Sequence, residues 1–316
     1  MRCSANALSA SKADRPPRTA GARSTPAFSS GDDVLGRLER HRDFHFRRMS
    51  ARKVKSEDQA LNFIGEVGFC TAFTAGLDVP CLREAIVGQR EPPLPHHIQN
   101  DYAIGMAWRL KDVLSAKRAV YYGKAIAGRP AFIAPQLLPA FLRLRAEPVS
   151  YLATFRRGHL SLCAKLVMDA LRRRPVAATR ELRTATGYSR PSRRAEFDRA
   201  MKELQEKFLV LKVEERYEPF TYIWSTLEHQ WRDALVQARR LRRDEAACEI
   251  IRRYFLIAGY GTPRSVAWRL GIEAKLVTGA VNRLVREKLL APCAPAAGLP
   301  PGCYALTQEN LKDARE

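Results

Sequence analysis

The stretch RPVAATRELRTATGYSRPSRRAEFDRAMKELQEKFLVLKVEERYEPFTYIW, residues 174–224, decides the fold. Thr179 caps a short helix from Arg180 to Thr184, and Gly187 makes the turn after it. A longer helix runs from Ala195 to Lys207, with Phe197, Met201, Leu204 and Phe208 on one side at helical spacing. FLVLKV and FTYIW then read as two strands, with Glu214 to Pro219 as the wing between them. Upstream, Leu162, Leu166, Met168 and Leu171 line an amphipathic helix that begins near Ser161. This order of helix, capped helix, basic helix and hairpin is the outline of a winged helix-turn-helix, whose third helix can enter a DNA major groove while the ribbon touches backbone.

The outline returns between Asp244 and Leu306. Asp244 caps a helix reaching about Ile257, and Thr262-Pro263 places a capping residue before a proline at the first helical position. Val266, Trp268 and Leu270 build the short helix, Gly271 turns, and Glu273 to Lys288 carries Leu276, Val277, Ala280, Leu284 and Val285. Leu289 to Ala291 and Tyr304 to Leu306 are the strands, parted by a Pro/Gly/Ala wing.

A looser copy precedes both. Ser56-Glu57-Asp58 starts a helix with Leu61, Ile64, Val67 and Phe69 or Cys70 near helical period. Cys81 to Val87 is a short helix, Pro92, Pro93 and Pro95 break the chain, and Asp101 to Leu114 carries Ile104, Trp108 and Leu110. Ala119 to Lys124 and Arg129 to Ala134 alternate around Ala127-Gly128 as a hairpin. Before this copy, Asp32 or Asp33 caps a basic helix reaching Ser50, with Val34, Leu38, Phe44 and Phe46 on an imperfect apolar face; after it, Pro135 to Leu144 and Tyr151 to Arg157 lead to the central unit.

The expected architecture is therefore mainly α with small β-hairpins (α+β), as three tandem winged helix-turn-helix domains. An N-terminal tail covers 1–31, a degenerate first domain with its preceding helix 32–150, a second with a connecting helix 151–240, a third 241–308, and a C-terminal tail 309–316.

The chain has 316 residues and a net charge of +21. Residues 1–55 hold 13 Lys/Arg and 5 Asp/Glu, so the remainder still carries +13 and the folded part is basic in its own right. Such a field attracts polyanions without choosing a sequence, which makes nucleic acid the leading partner while leaving RNA and anionic membrane open on charge alone. Seven cysteines without a C-x-x-C pair point to core thiols in a reducing compartment, not to a disulfide framework or a zinc cluster. His96 and His97 are adjacent, so they do not easily converge on one ion, and no metal site is expected.

No apolar run reaches the length of a membrane span and the N-terminus lacks the apolar core of a secretory signal, so a cytoplasmic, nucleoid-associated protein is expected. The Ala, Ser, Arg and Pro content of residues 1–31 resembles an organelle transit peptide, with a disordered tail or an early-assigned start as the competing readings.

The third helices present cations opposite their apolar faces: Arg190, Arg193, Arg194, Arg199 and Lys202 in the central copy, and Lys275, Arg283, Arg286 and Lys288 in the last. Arginine offers bidentate donors to phosphate or guanine, so the central helix is the better DNA reader. Glu196, Asp198, Glu203 and Glu206 dilute that patch, and surface helices carry such cations without binding anything. Nucleotide, hydrolase and metalloprotease fingerprints are absent, and no cofactor is expected. Catalysis would have to come from isolated groups: Glu66 in an otherwise apolar helix, or Tyr121 and Tyr122 in the first hairpin. A carboxylate bonding a neighbouring arginine, and tyrosines packing a hairpin, are the structural readings of the same residues.

RPVAATRELRTATG, FDRAMKELQEKFLVLKVEE, PFTYIW, GTPRSVAWRLGI and VTGAVNRLVREKLL together resemble the bacterial family of the interstrand-crosslink DNA glycosylase AlkZ (YcaQ), from about Ser56 to Leu306. The resemblance implies three winged helices around a concave basic surface for duplex DNA. It also implies a Gln-x-Gln or Gln-x-Asp motif that positions a water at the sugar of an alkylated nucleotide. The comparable stretch runs from Glu66 to Phe73 and contains no glutamine; none of the eight glutamines lies two residues from another. The family's catalytic pair therefore does not carry over, and Glu66 would have to activate water in its place. The leading expectation is a monomeric duplex DNA-binding protein, damage- or structure-directed. A divergent glycosylase for alkylated or crosslinked bases comes second and a protein-interaction scaffold third.

Overall fold

The computed structural model describes residues 31–94, 97, 100–146, 150–294 and 298–311, the first three of these as backbone only. Residues 1–30 of the expected N-terminal tail and 312–316 of the C-terminal one lie outside the described residues, as do His96 and the side chains of Asp32 and Asp33. Helix α1 (Gly31–His45) leads into a segment made of α2 (Glu57–Val67), β1 (Phe69–Thr71), α3 (Leu82–Val87), α4 (Tyr102–Ala116), β2 (Tyr121–Ile126) and β3 (Arg129–Ile133). Helices α5 (Leu138–Arg145) and α6 (Tyr151–Arg156) connect it to α7 (Leu162–Arg173), β4 (Val176–Ala178), α8 (Thr179–Thr186), α9 (Arg194–Glu206), β5 (Val210–Tyr217) and β6 (Phe220–Thr226). Through α10 (Leu227–Gln230) and α11 (Arg232–Arg240) the chain reaches α12 (Arg243–Ala258), β7 (Tyr260–Gly261), α13 (Pro263–Leu270), α14 (Ala274–Arg286), β8 (Leu290–Pro292) and β9 (Tyr304–Leu306).

The same order of helix, strand, helix, helix and hairpin thus occurs three times in a helical α+β chain. Each segment closes a three-stranded antiparallel sheet, ordered β1-β3-β2, β4-β6-β5 and β7-β9-β8. The hairpins follow the sequence reading except in the second, where Glu214 to Tyr217, expected in the wing, pair with β6 and leave Glu218 and Pro219 as the turn; the short strand opening each sheet does not appear in that reading. Phe69 and Cys70, expected on a helix, lie in β1, where Phe69 pairs with Ile133. Helix α2 stops at Val67 because Gly68 takes a φ of 81°, open to glycine, and the Gly68 carbonyl accepts from Ala134 N at 2.8 Å. Helix α1 likewise ends short of the expected Ser50, where Arg47 turns at a φ of 54°.

Side-chain capping explains several of the helix starts. Hydroxyls of Ser56, Ser161 and Thr262, and the carboxylate of Asp101, accept from the backbone N–H three residues on. Thr179 is not a cap: its hydroxyl donates to the Tyr222 carbonyl at 3.1 Å and accepts from Trp224 Nε1 at 2.9 Å, while Glu181 receives the Ala178 N–H. Asp244 lies inside α12 and pairs with Arg242 at 3.0 Å. Four residues expected in the interior are exposed: Leu61 of α2, Trp108 of α4, Leu162 at the first turn of α7, and Trp268, which is 64% exposed because α13 turns Val266, Ala267 and Leu270 inward.

The apolar interior does not divide along the three segments. One continuous body joins the first and third, with Phe63, Ile64, Phe132 and Phe141 merging through α5 and α11 with Ile251, Phe255, Val277 and Leu284. The second segment has its own core of Val167, Leu171, Leu182, Phe197, Leu204 and Trp224. It touches the larger body through Phe208 and Leu211, and Phe208 stacks on Tyr121 with ring centres 5.2 Å apart. Val34 and Leu38 of α1 pack on the third segment's Leu299, Cys303 and Ala305. Cys70, Cys81, Cys163, Cys248 and Cys303 are buried free thiols.

Candidate nucleic-acid interface

Helix α8 turns Leu182 and Thr186 inward and α9 turns Phe197, Ala200, Met201 and Leu204 inward, which leaves their basic positions facing β6 and solvent. Between α8, α9 and β6 opens a groove of about 930 Å³ lined by Arg180, Arg183, Arg194, Thr184, Ser189 and Gln205 and by Phe197, Phe220, Tyr222 and Trp224. Alternate positions of β6 put Phe220, Tyr222 and Trp224 on one face, with successive ring centres 5.1 and 5.7 Å apart. Arg183 is engaged, 3.0 Å from Asp198 and over the Phe197 ring. Arg180 and Arg194 have no ion-pair partner among the described residues, so their guanidinium donors are available to phosphate oxygens.

A smaller recess of about 240 Å³ shares Gln205, Tyr222 and Trp224 with the groove and extends it to Tyr122, Gly123, Lys124, Pro130 and Lys212. Beneath it lies a buried ionic cluster between α4 and β5. Glu215, whose side chain is 2% exposed, is held by Lys212 and by Lys111, whose Nζ is 2.5 Å away. Lys111, 3% exposed, also lies 3.1 Å from Asp112, and Asp112 accepts from the Tyr217 hydroxyl at 2.6 Å. The Lys212 ammonium stands 4.7 Å from the Tyr222 ring centre and 5.4 Å from that of Tyr122. Burial, reinforced by the Lys111 charge and opposed by Asp112, pulls the Lys212 amine from 10.5 down to about 7. Burial also lowers Lys111 and raises Tyr122.

The cations expected from sequence fall into separate places. Arg194 joins the groove, beside Arg180 and Arg183, which a reading confined to the third helices had passed over. Arg190 and Arg193 occupy the 3₁₀ turn before α9; Arg193 lies 3.7 Å over the Tyr188 ring and 3.5 Å from Glu196. Arg199 and Lys202 project from another side of α9 with Glu203 and Glu206, and Lys202 is 3.8 Å from Glu206. In the third segment Arg286 lines a recess of about 630 Å³ with Gly279, Asn282 and Tyr304. Lys275 shares that helical face by its spacing. Arg283 instead binds Glu287 at 2.9 Å, a carboxylate that also receives Arg252 of α12.

The three catalytic candidates do not converge. Glu66 is on the surface of α2, its side chain 55% exposed and its carboxylate 2.9 Å from Arg47. Tyr121 is sealed in the interior, its hydroxyl without a hydrogen-bond partner among the described residues, and burial drives its acidity down. Tyr122 points to the opposite face of the same strand, into the recess. Two neighbours of Glu66 were not foreseen. Arg253 of α12 donates to the Glu66 carbonyl at 2.7 Å, and the Gln136 carboxamide donates to the Gly65 carbonyl at 3.2 Å. Gln136, in the turn before α5, thus lies against α2.

Among the described residues no helix is long and apolar enough to cross a membrane, and no group of three or more His, Cys, Asp or Glu could hold a metal ion. No curated protein matches the chain. Among solved structures, the DNA glycosylase AlkZ of Streptomyces sahachiroi superposes with a TM-score of 0.56 at 13% identity, covering 89% of this chain and 71% of that one. At that identity the likeness is one of fold. A family model described as AlkZ related matches residues 54–265, from the first segment into α13 and well over half of the sequence. The chain belongs to the AlkZ-related family.

Proposed function

We propose that this protein binds duplex DNA along the groove of the second segment, directed by damage or structure rather than by a promoter sequence. The observation that carries this reading is the pairing of unengaged Arg180 and Arg194 with the aromatic face of Phe220, Tyr222 and Trp224. Guanidinium groups hold phosphates of any sequence, and aromatic faces hold bases that have left the stack. An intact duplex offers the first contact but not the second, which is the physical basis of a preference for distorted sites. The fold shared with a DNA glycosylase supports the same reading.

On this view the three repeated segments are winged helix-turn-helix domains spanning 32–150, 151–240 and 241–308. The protein acts as a monomer at the nucleoid, and Arg286 and Lys275 add phosphate contacts. Gel shifts of intact and distorted duplexes over a salt series test the proposal. Affinity falls steeply with salt, and the distorted duplex is preferred. Absence of any shift at low salt refutes it and leaves the interaction scaffold.

A second reading, excision of an alkylated or crosslinked base, is favoured by the patch at Glu66. There an exposed carboxylate is fixed by Arg47, and the carboxamide of Gln136 reaches the same helix at the Gly65 carbonyl. A carboxylate can take the proton of an attacking water while a carboxamide orients it. Incubation with alkylated and crosslinked duplexes, then alkali, reveals abasic sites as strand breaks. Breaks lost in Glu66→Gln but retained in Arg193→Ala support excision, and their absence with the unaltered protein removes this second reading.

A further inference from the structure

We propose that Lys212 is a nucleophile toward aldehydes, condensing through its ε-amine with the ring-opened C1′ aldehyde of an abasic deoxyribose seated in the recess between β2 and β6, and so nicking the strand. The proposal rests on the DNA-binding reading of the adjoining groove and adds to it a covalent activity. Three features of the site converge on it.

Lys212 is in the recess, in contact with the groove through Tyr222 and Trp224, whereas its neighbour Lys111 is sealed beneath. The recess, at about 240 Å³, suits a single extruded sugar better than a duplex. Tyr122 and Tyr222 flank the amine, and Arg180 and Arg194 line the adjoining groove, where their guanidinium groups offer donors to the phosphates of a bound strand. Burial keeps much of the amine uncharged near neutral pH, with its lone pair free to attack.

The chemistry balances without a further reagent. The amine nitrogen bonds to C1′, and Glu215, in contact with the amine, accepts the proton it sheds. Glu215 returns that proton to the former carbonyl oxygen, a second proton comes from solvent, and the oxygen leaves as water, giving an iminium. The C2′ proton passes to water, a C2′–C3′ double bond forms, and the C3′–O bond breaks as the 3′-phosphate departs with its electron pair. Water then hydrolyses the iminium, releasing the unsaturated aldehyde and returning Lys212.

The test uses the full chain and a duplex carrying one abasic site, in two parallel measurements: a gel shift without reductant, and incubation with sodium borohydride, whose hydride reduces the iminium to a stable secondary amine. The expected result is a shifted complex, a covalent protein–DNA band, and an adduct that peptide mass spectrometry assigns to Lys212. Lys212→Arg lowers the trapped fraction by at least about tenfold, whereas Lys117→Arg, on an exposed lysine outside the groove, leaves it unchanged. A shifted complex without a trapped band, or an adduct assigned to another amine, overturns the proposal and leaves the DNA-binding reading standing. Loss of both shift and trap overturns the two together. Because the peptide assignment is made on the unaltered protein, it decides the matter even where Lys212→Arg fails to fold.

Discussion

Replacing Glu215 with glutamine removes the one carboxylate that touches both Lys111 and Lys212. The charge is lost from a site where the carboxylate side chain is 2% exposed and its partners 3% and 16%. Removing one member of a buried ion pair costs about 3–5 kcal/mol, because the charge left behind has neither water nor a counter-ion. Here Asp112 remains 3.1 Å from Lys111, so the lower end, about 3 kcal/mol, is expected. An unfolding entropy of about 2.1 cal/mol/K per residue gives roughly 1.5 °C per kcal/mol for a chain of 316 residues, a fall in Tm of about 5 °C at pH 6.

The pH dependence gives a second handle. The folded Lys212 amine titrates near 7 against 10.5 for an ordinary lysine, so its burial penalty is complete below about pH 7 and vanishes as pH rises to 10.5. By pH 9 Lys212 is uncharged in the folded protein and needs Glu215 less, so the Tm gap between Glu215→Gln and the unaltered chain narrows. Thermal unfolding followed by circular dichroism at pH 6 and pH 9 measures both effects. A gap under about 2 °C that does not change between the two pH values refutes the assignment of this cluster as a buried, charge-balanced latch.

Arg180→Ala and Arg194→Ala each weaken binding to all duplexes alike and reduce the slope of log affinity against log salt by about 1, as read from a gel-shift salt series. Phe197→Ala hollows the second segment's separate core at a cost of about 3–5 kcal/mol, and hydrogen exchange should report the loss in that segment while α12 and α14 stay protected. Gly123→Ala places a methyl group against the Tyr121 hydroxyl and lowers stability by about 1–3 kcal/mol in denaturant titration. Thr262→Ala removes the cap that accepts from Ser265 N at 3.2 Å and costs about 1 kcal/mol by the same titration.

The features legible in sequence are those written locally. The alternation around Ala127-Gly128, the Thr262-Pro263 helix start and the Phe197, Met201, Leu204 face each follow from short-range periodicity or turn chemistry, and each is present in the fold. The strands β1, β4 and β7 were not legible, because two or three residues show no period and their partners lie far along the chain. Trp268 misled because size and apolarity say nothing about which side of a short helix faces inward. The candidate site followed the same division. Arg194 was found from its place on a basic helix, but Arg180 joins it only because α8 packs on α7 and β6, across the groove from α9. Lys111, Lys212 and Glu215 look like ordinary surface charges in a row of letters. Only the docking of α4 against β5 takes them out of water. Gln136 reaches the Glu66 patch in the same way, from the turn before α5.

The uneven division of the interior has a mechanical consequence. The first and third segments share one apolar body and so form a single anvil, although most of the second segment lies between them in the chain. The second segment, with its own interior, is a hammer fastened to that anvil by a few grips: Phe208 on Tyr121, Leu211 in the larger core, and Glu215 between two lysines. Parting the two bodies takes Phe208 and Leu211 out of the larger interior, so the width of the recess is tied to how deeply those two side chains are seated. The gap that would receive a distorted strand is thus set by side chains whose own separation decides how wide the two parts stand.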